Sequence, residues 1–275
     1  MMIFFIFAMM TGFVYTNANP ERFVLITMLY NETNEERVQE YLTCLEQNRK
    51  HPLIRKIHII YDRSHDKKGP TLIHNYIKKY KFPVDYVDGR ATYGFCFNLA
   101  AEKYPEKKII LCNADIYFNE TLNLLASYDF TNLFIALTRW NESESGVLNL
   151  EFSGTRPNIL SQDAWLFRSP LPRFCDTDIY LGTFFCDSQI AYQAYRAGLM
   201  LMNPCLSVQC CHLHCSRVRN YAESPKNDRK KLGVPWIHLP PSVPVHHGIN
   251  LDMEALAQVE PLVKNFIPYD FCCIC

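Results

Sequence analysis

The stretch Gly89–Phe118, GRATYGFCFNLAAEKYPEKKIILCNADIYF, decides the fold. It opens on a glycine-punctuated turn, continues as a helix, and then runs Lys107-Lys108 into the apolar Ile109-Ile110-Leu111-Cys112 before stopping on Asn113-Ala114-Asp115. An apolar run without alternation is the pattern of a parallel strand buried on both faces. Such a strand ending on a lone carboxylate raises the question of what that carboxylate does.

Working outward, Arg22–Tyr30 (RFVLITMLY) is a second run of the same kind. It leads into a helix that Asn31 or Thr33 would cap, with Val38, Tyr41, Leu42 and Leu45 at helical spacing. Ile54–Asp62 is a further strand, TLIHNYIKKY a further helix, and PVDYVD a short third strand before the quoted block. Strands alternating with helices require right-handed crossovers, so the chain is expected to be α/β: a single Rossmann-like domain with a mainly parallel central sheet covered by helices. In such sheets ligands bind beyond the carboxyl ends of the strands. Asp62, Asp88 and Asp115 each close a strand, and are expected on one rim. Chain breaks are expected near Asn141–Arg156 and after Tyr221, where polar and proline-rich segments begin.

The 275 residues carry 28 basic and 28 acidic side chains and a pI near 7.1. That balance supplies no long-range field for a polyanion, and nucleic acid is not an expected partner. The first residues hold an apolar run from Met2 to about Tyr15, followed by Thr16-Asn17-Ala18, the small-x-small pattern of a cleavage site. The run falls short of the roughly 20 residues of a membrane span. Residues 1–18 are therefore read as a signal peptide or a short anchor, with membrane association through the N-terminus left open. Three sequons, at Asn31, Asn119 and Asn141, together with 12 cysteines fit a secretory lumen and a glycoprotein. Seven of those cysteines fall at Cys205 or later, which concentrates any disulfide framework in the second half.

The blocks LITMLYNE, IHIIYD and Gly89–Phe118 resemble nucleotide-sugar glycosyltransferases of the A-type fold, family-2-like, over roughly Arg22–Phe118 and more loosely to about Ser216. The resemblance implies a domain over 19–221, with a donor half at 22–118 and an acceptor half at 119–221, and 222–275 as an extension. It implies that Asp62 binds the uracil or ribose of a donor, that Asp88 joins it on the rim, and that Asn98 shapes the nucleotide pocket. Asn113-Ala114-Asp115 stands for the metal-binding Asp-x-Asp motif, with Asn in place of the first Asp. A hard divalent ion, Mn2+ or Mg2+, needs only one or two protein oxygens when diphosphate and water complete its shell. The leaving nucleoside diphosphate, from a UDP-sugar by this resemblance, has its developing charge neutralised by that ion. Alone, Asp115 would read as a strand-end turn residue or the cap of NETLNLLA.

Farther on, Asp187 opens a helix after a Gly-containing loop. It is read as the general base of an inverting displacement on a glycan or glycoprotein hydroxyl, or as a plain first-turn acid. Asp163 and Trp165 are read as acceptor-binding, Trp165 by stacking on a sugar ring or else as a core residue. In NPCLSVQCCHLHCS, His212 and His214 are two apart and share a strand face, and by the resemblance either His212 or His214 completes the metal site, with His212 the favoured one. The rival readings are a zinc site of Cys210, Cys211, His214 and Cys215, or cysteines that pair or pack. The C-terminal FCCIC fits a disulfide-forming or lipidated tail. The expected function is a metal-dependent glycosyltransferase. The alternative is an inactive chain of that fold or a secreted disulfide-rich binding protein. A nucleotidyltransferase is disfavoured by the lack of a Gly-rich phosphate loop near the N-terminus.

Overall fold

The computed structural model describes residues 21–66, 71–150, 161–183, 185–216 and 218, and the backbone of 152–153 and 156–157. The readings made for residues 1–18, for 222–275 and for the terminal cysteines lie outside them. Among the described residues no helix is long and apolar enough to cross a membrane.

The first half follows the sequence: β1 (Phe23–Tyr30), α1 (Glu35–Lys50), β2 (Ile54–Asp62), α2 (Leu72–Tyr80), β3 (Val84–Val87), α3 (Tyr93–Lys103) and β4 (Lys108–Cys112). The cap of α1 is Asn34, whose side chain accepts from the Arg37 N–H, rather than Asn31 or Thr33. Asn31 is buried, and Thr33 gives its own N–H to Glu32 Oε1 at 2.7 Å. Helix α2 begins at Thr71 with a capping box closed by His74.

The second half adds β5 (Ile116–Phe118), β6 (Leu133–Leu137), β7 (Arg139–Glu142), β8 (Leu148–Leu150), β9 (Phe152–Ser153), β10 (Arg156–Pro157), β11 (Ala164–Arg168), α4 (Cys186–Arg196), β12 (Met200–Met202) and β13 (Cys210–Leu213). A seven-stranded sheet has the order β12-β6-β11-β4-β1-β2-β3. Every pairing in it is parallel except those of β11, which runs antiparallel to both β4 and β6. The break expected at Asn141–Arg156 is instead where β7 and β8 turn back on each other, in a second sheet of order β5-β13-β7-β8.

Alternation along β1 divides the core. Phe23, Leu25 and Leu29 face α1, α2 and the second sheet, while Val24 and Ile26 face α3 and α4. The central strands β1 and β4 are therefore almost wholly apolar, with Thr27 and Lys108 as their buried polar members. Lys108, inside β4, is kept in the core by Nζ donating to Ala126 O at 2.9 Å and lying 5.0 Å over the Phe130 ring. This core fixes the carboxyl ends of β1, β2 and β4 at one edge, and the second sheet continues from the end of β4.

Candidate active site

Asp115 lies in the turn between β4 and β5, and its carbonyl accepts the Leu213 N–H at 2.9 Å, which docks β13 beside it. Its carboxylate is buried, and Oδ2 accepts from the Arg37 guanidinium and faces His212 Nε2 at 3.1 Å. Oδ1 makes no hydrogen bond among the described residues. Burial alone would raise this carboxyl, but His212 and Arg37 hold it well below the usual carboxylate range.

His212 and His214 stand on the same face of the β13 chain, rings 5.3 Å apart. Asn141, directly across from His212 on β7, holds Nδ1 at 2.8 Å through its side-chain oxygen. Nδ1 held in this way would leave Nε2 as the ligand atom offered to a cation between His212 and Asp115. His214 gives Nε2–H to Val218 O at 2.9 Å, which leaves Nδ1 as its ligand atom. Burial, and then the charge of Arg37, lower its pKa and keep the imidazole neutral. Ligand atoms of Asp115, His212 and His214 all lie within 4.8 Å of one another. One carboxylate oxygen and two imidazole nitrogens fit a divalent first-row ion such as Mn2+.

The zinc reading of the cysteines fails on geometry. Cys210 and Cys211 are adjacent on a strand and point to opposite faces, and Cys215 Sγ lies on Glu142 O. Asp115, His212 and His214 form the one metal-competent cluster among the described residues. Cys44, Cys96, Cys112, Cys175, Cys186, Cys205, Cys210 and Cys211 are free thiols, so the disulfide-rich reading finds no bridge among these eight. All three sequon asparagines are engaged by the fold: Asn31 is buried, Asn119 Oδ1 accepts from the Thr121 N–H at 3.1 Å, and Asn141 holds His212.

A second group sits where β4 ends and β11 begins. Asn113 does not join Asp115; its amide donates to Asp163 Oδ1 at 2.7 Å. An aspartate at 113 would meet Asp163 as a like charge, so the amide is the residue this contact requires. Asp163 is also bound by Arg139 NH1 at 3.1 Å and is 7% exposed, so in this structure it braces the ends of β4 and β7. Trp165 is 0% exposed, in the middle of β11, and packs edge-on against Tyr93, so it offers no face to a sugar.

Asp187 lies in the first turn of α4, but the cap position is Phe185, a residue at φ 65° with no side-chain cap bond. Asp187 Oδ2 accepts the Gln162 N–H at 3.1 Å and Oδ1 the Cys186 thiol at 2.9 Å. Burial and then the charge of Asp163 push its carboxyl up to about 7, against the pull of those two donors. That value suits proton transfer near neutral pH.

The rim of strand-end carboxylates divides in two. Asp62 Oδ1 accepts the N–H groups of Ser64 at 2.8 Å and Gly89 at 2.9 Å, which ties the ends of β2 and β3 together. Asp88, largely exposed, makes a two-pronged pair with Arg63. Neither is joined to Asp115 by a described contact. Asn98 stands on the exposed side of α3, opposite the buried stripe of Tyr93, Cys96, Phe97 and Ala100, and not with the strand-end carboxylates. A cavity of about 210 Å³, lined by Ile54, Arg55, Tyr80 and Phe82 among others, opens at the amino end of β2, away from all of this chemistry.

Sequence reasoning missed the residues of α1. Arg37, 6% exposed, joins Asp115 to Glu40 Oε2 at 2.7 Å and to Tyr41 Oη at 3.1 Å. Glu40 in turn accepts the Ser216 N–H at 2.7 Å and the Ser216 hydroxyl at 2.9 Å. The available signal was a pair of opposite charges at i and i+3 bordering the apolar stripe of the helix.

No protein-family model matches the chain, and no curated protein sequence does. Solved structures do. GalNAc-T7, solved with UDP, GalNAc and Mn2+, superposes with a TM-score of 0.51 at 13% identity, over 78% of this chain and 48% of that one. The chain has the A-type nucleotide-sugar glycosyltransferase fold. A mannosyltransferase from Pyrobaculum calidifontis, in complex with GDP-Man and Mn2+, gives 0.46 at 16% identity over 74% of this chain and 61% of that one. S. aureus TarS 1-349 gives 0.43 at 17% identity over 78% and 67%. The chain thus spans about half to two thirds of the length of these structures, and at such identities the likeness is one of fold.

Proposed function

We propose that this A-type chain is a metal-dependent glycosyltransferase that takes a sugar from a nucleotide-diphosphate donor and transfers it to a hydroxyl of a glycan or glycoprotein. The observation that carries the reading is the cluster of Asp115, His212 and His214 just beyond the carboxyl end of β4, where this class of sheet binds its ligands. GalNAc-T7 carries UDP and Mn2+ on the same fold, which supports a nucleotide and a divalent ion as the ligands. Asp115, His212 and His214 would hold the ion, Asn141 would fix the tautomer of His212, and the ion would supply Lewis-acid neutralisation of the departing diphosphate.

Asp187 is the base in this reading. Its raised carboxyl is held in place by Gln162 and Cys186 and takes the proton of the acceptor hydroxyl as the oxygen attacks the anomeric carbon, whose bond to the diphosphate breaks. A single carboxylate acting in line gives inversion. Asp62 and Asp88, with the turn they brace, are the chain's contribution on the nucleotide side. Asn113 in place of an aspartate, with Arg37 on Asp115, favours a second reading in which the fold has lost its chemistry.

A thermal-shift screen of the full chain against UDP, GDP and CMP and their sugars, with and without Mn2+, separates the two. A ligand bound by the folded state alone raises the melting temperature. A rise that requires one nucleotide together with Mn2+, and is lost in Asp115→Asn, is the expected result. No rise with any combination would sustain the inactive reading.

A further inference from the structure

We propose that Arg37 occupies the place of a cation on Asp115 in the nucleotide-free protein, and so makes divalent-ion binding conditional on a bound diphosphate. This rests on the metal reading above. Arg37 is buried at the centre of a fixed set of acceptors: Asp115 Oδ2, Glu40 Oε2 at 2.7 Å, Tyr41 Oη at 3.1 Å and Leu213 O at 3.4 Å. The acceptor it takes from Asp115 is the same oxygen that faces His212 Nε2. A guanidinium is charged at every accessible pH, so this is a permanent positive charge in contact with a ligand oxygen of the candidate metal site.

Two consequences follow from charge alone. A divalent ion approaching Asp115 is repelled by Arg37 in a site with little water to screen it, so the free protein binds the ion weakly. A diphosphate reverses the balance, because its several negative charges can be shared between the ion and the guanidinium, and Arg-phosphate contacts are among the strongest charge-assisted hydrogen bonds. Glu40 is the counterweight. Pinned by the Ser216 N–H and hydroxyl, it holds the far side of the guanidinium whether or not Asp115 is released. Metal and donor would then enter as one unit.

The test is a calorimetric titration of the full chain with Mn2+, alone and with saturating UDP or, in a parallel series, GDP. The double variant Arg37→Gln/Glu40→Gln removes the charge without stranding Glu40, and Arg37→Lys keeps it. The expected results are Mn2+ binding to the double variant at least tenfold tighter than to wild type without nucleotide, wild-type-like weak binding in Arg37→Lys, and a smaller gain on adding nucleotide in the double variant. A folded double variant that binds Mn2+ alone no more tightly than wild type overturns the proposal. If the double variant does not fold, Glu40→Gln alone decides: it leaves Arg37 to Asp115, so Mn2+ binding should weaken severalfold, and unchanged or tighter binding refutes the role. Wild type binding Mn2+ only with nucleotide while the variants show no change would leave the glycosyltransferase reading standing and remove this one. Wild type binding Mn2+ under no condition removes both.

Discussion

Asp115 follows strand β4 and Asp187 opens helix α4, and the neighbours of these two carboxylates drive them apart. Two positive or donor groups hold Asp115 ionised, while burial and Asp163 push Asp187 up to about 7. Separated pKa values of this kind mark different roles for like groups. Asp187→Asn should lower turnover by roughly 10² to 10⁴ while leaving donor affinity intact, measured by steady-state kinetics and calorimetry. It should also stabilise the fold at high pH. A carboxyl raised in the folded state binds its proton there but not in the unfolded chain between about pH 4 and 7, so its ionisation costs stability as pH rises through that window and the cost is complete above it. The melting temperature of Asp187→Asn should therefore exceed that of wild type at pH 8 by more than at pH 5; an equal difference at both would refute the raised carboxyl. Asn113→Asp places a second carboxylate against Asp163 and should lower the melting temperature at pH 8 more than at pH 4.5.

Elements, not single residues, bring this site together, and that set what the sequence could disclose. Asp115, His212 and Asp187 could be picked out as candidates because each has a local signature: a strand-end carboxylate, an i, i+2 pair, an acid opening a helix. The partnership of Arg37 was not, since it exists only once α1 packs across β5 and β13. Trp165 misled because a Trp beside an Asp reads the same at a sheet edge and in its middle, and β11 lies between β4 and β6. Two predictions belong at this scale. Asn141→Leu removes the partner that β7 gives His212 and should weaken Mn2+ binding in the presence of nucleotide by roughly 10 to 100-fold with little change in melting temperature. Gly94→Ala should disturb the loop that leads to α4, because a Cβ there would come 2.5 Å from Thr177 Oγ1, where the Gly94 N–H already binds Thr177 O at 3.0 Å. A fall in turnover with donor affinity preserved is the expected outcome, since that loop positions Asp187.

Over the whole molecule, the alternation of β1 to β4 with three helices was readable because strands buried on both faces are apolar throughout. The antiparallel β11 and the second sheet were not, as neither pairing direction nor sheet membership leaves a mark on so short a run. The fold allots its chemistry accordingly. In the proposed site, the half whose topology was read from sequence would supply Asp62, Asp88 and Asp115, and the half whose topology was not would supply His212, His214, Asn141 and Asp187. The account stands on these halves forming one metal-assisted site. The most direct measurement is release of nucleoside diphosphate from the nucleotide sugar that the thermal-shift screen selects, followed with Mn2+ and with EDTA, for wild type and Asp115→Asn. Release by wild type that requires Mn2+ and is abolished in the variant is predicted; release that persists in EDTA, or in folded Asp115→Asn, would contradict it.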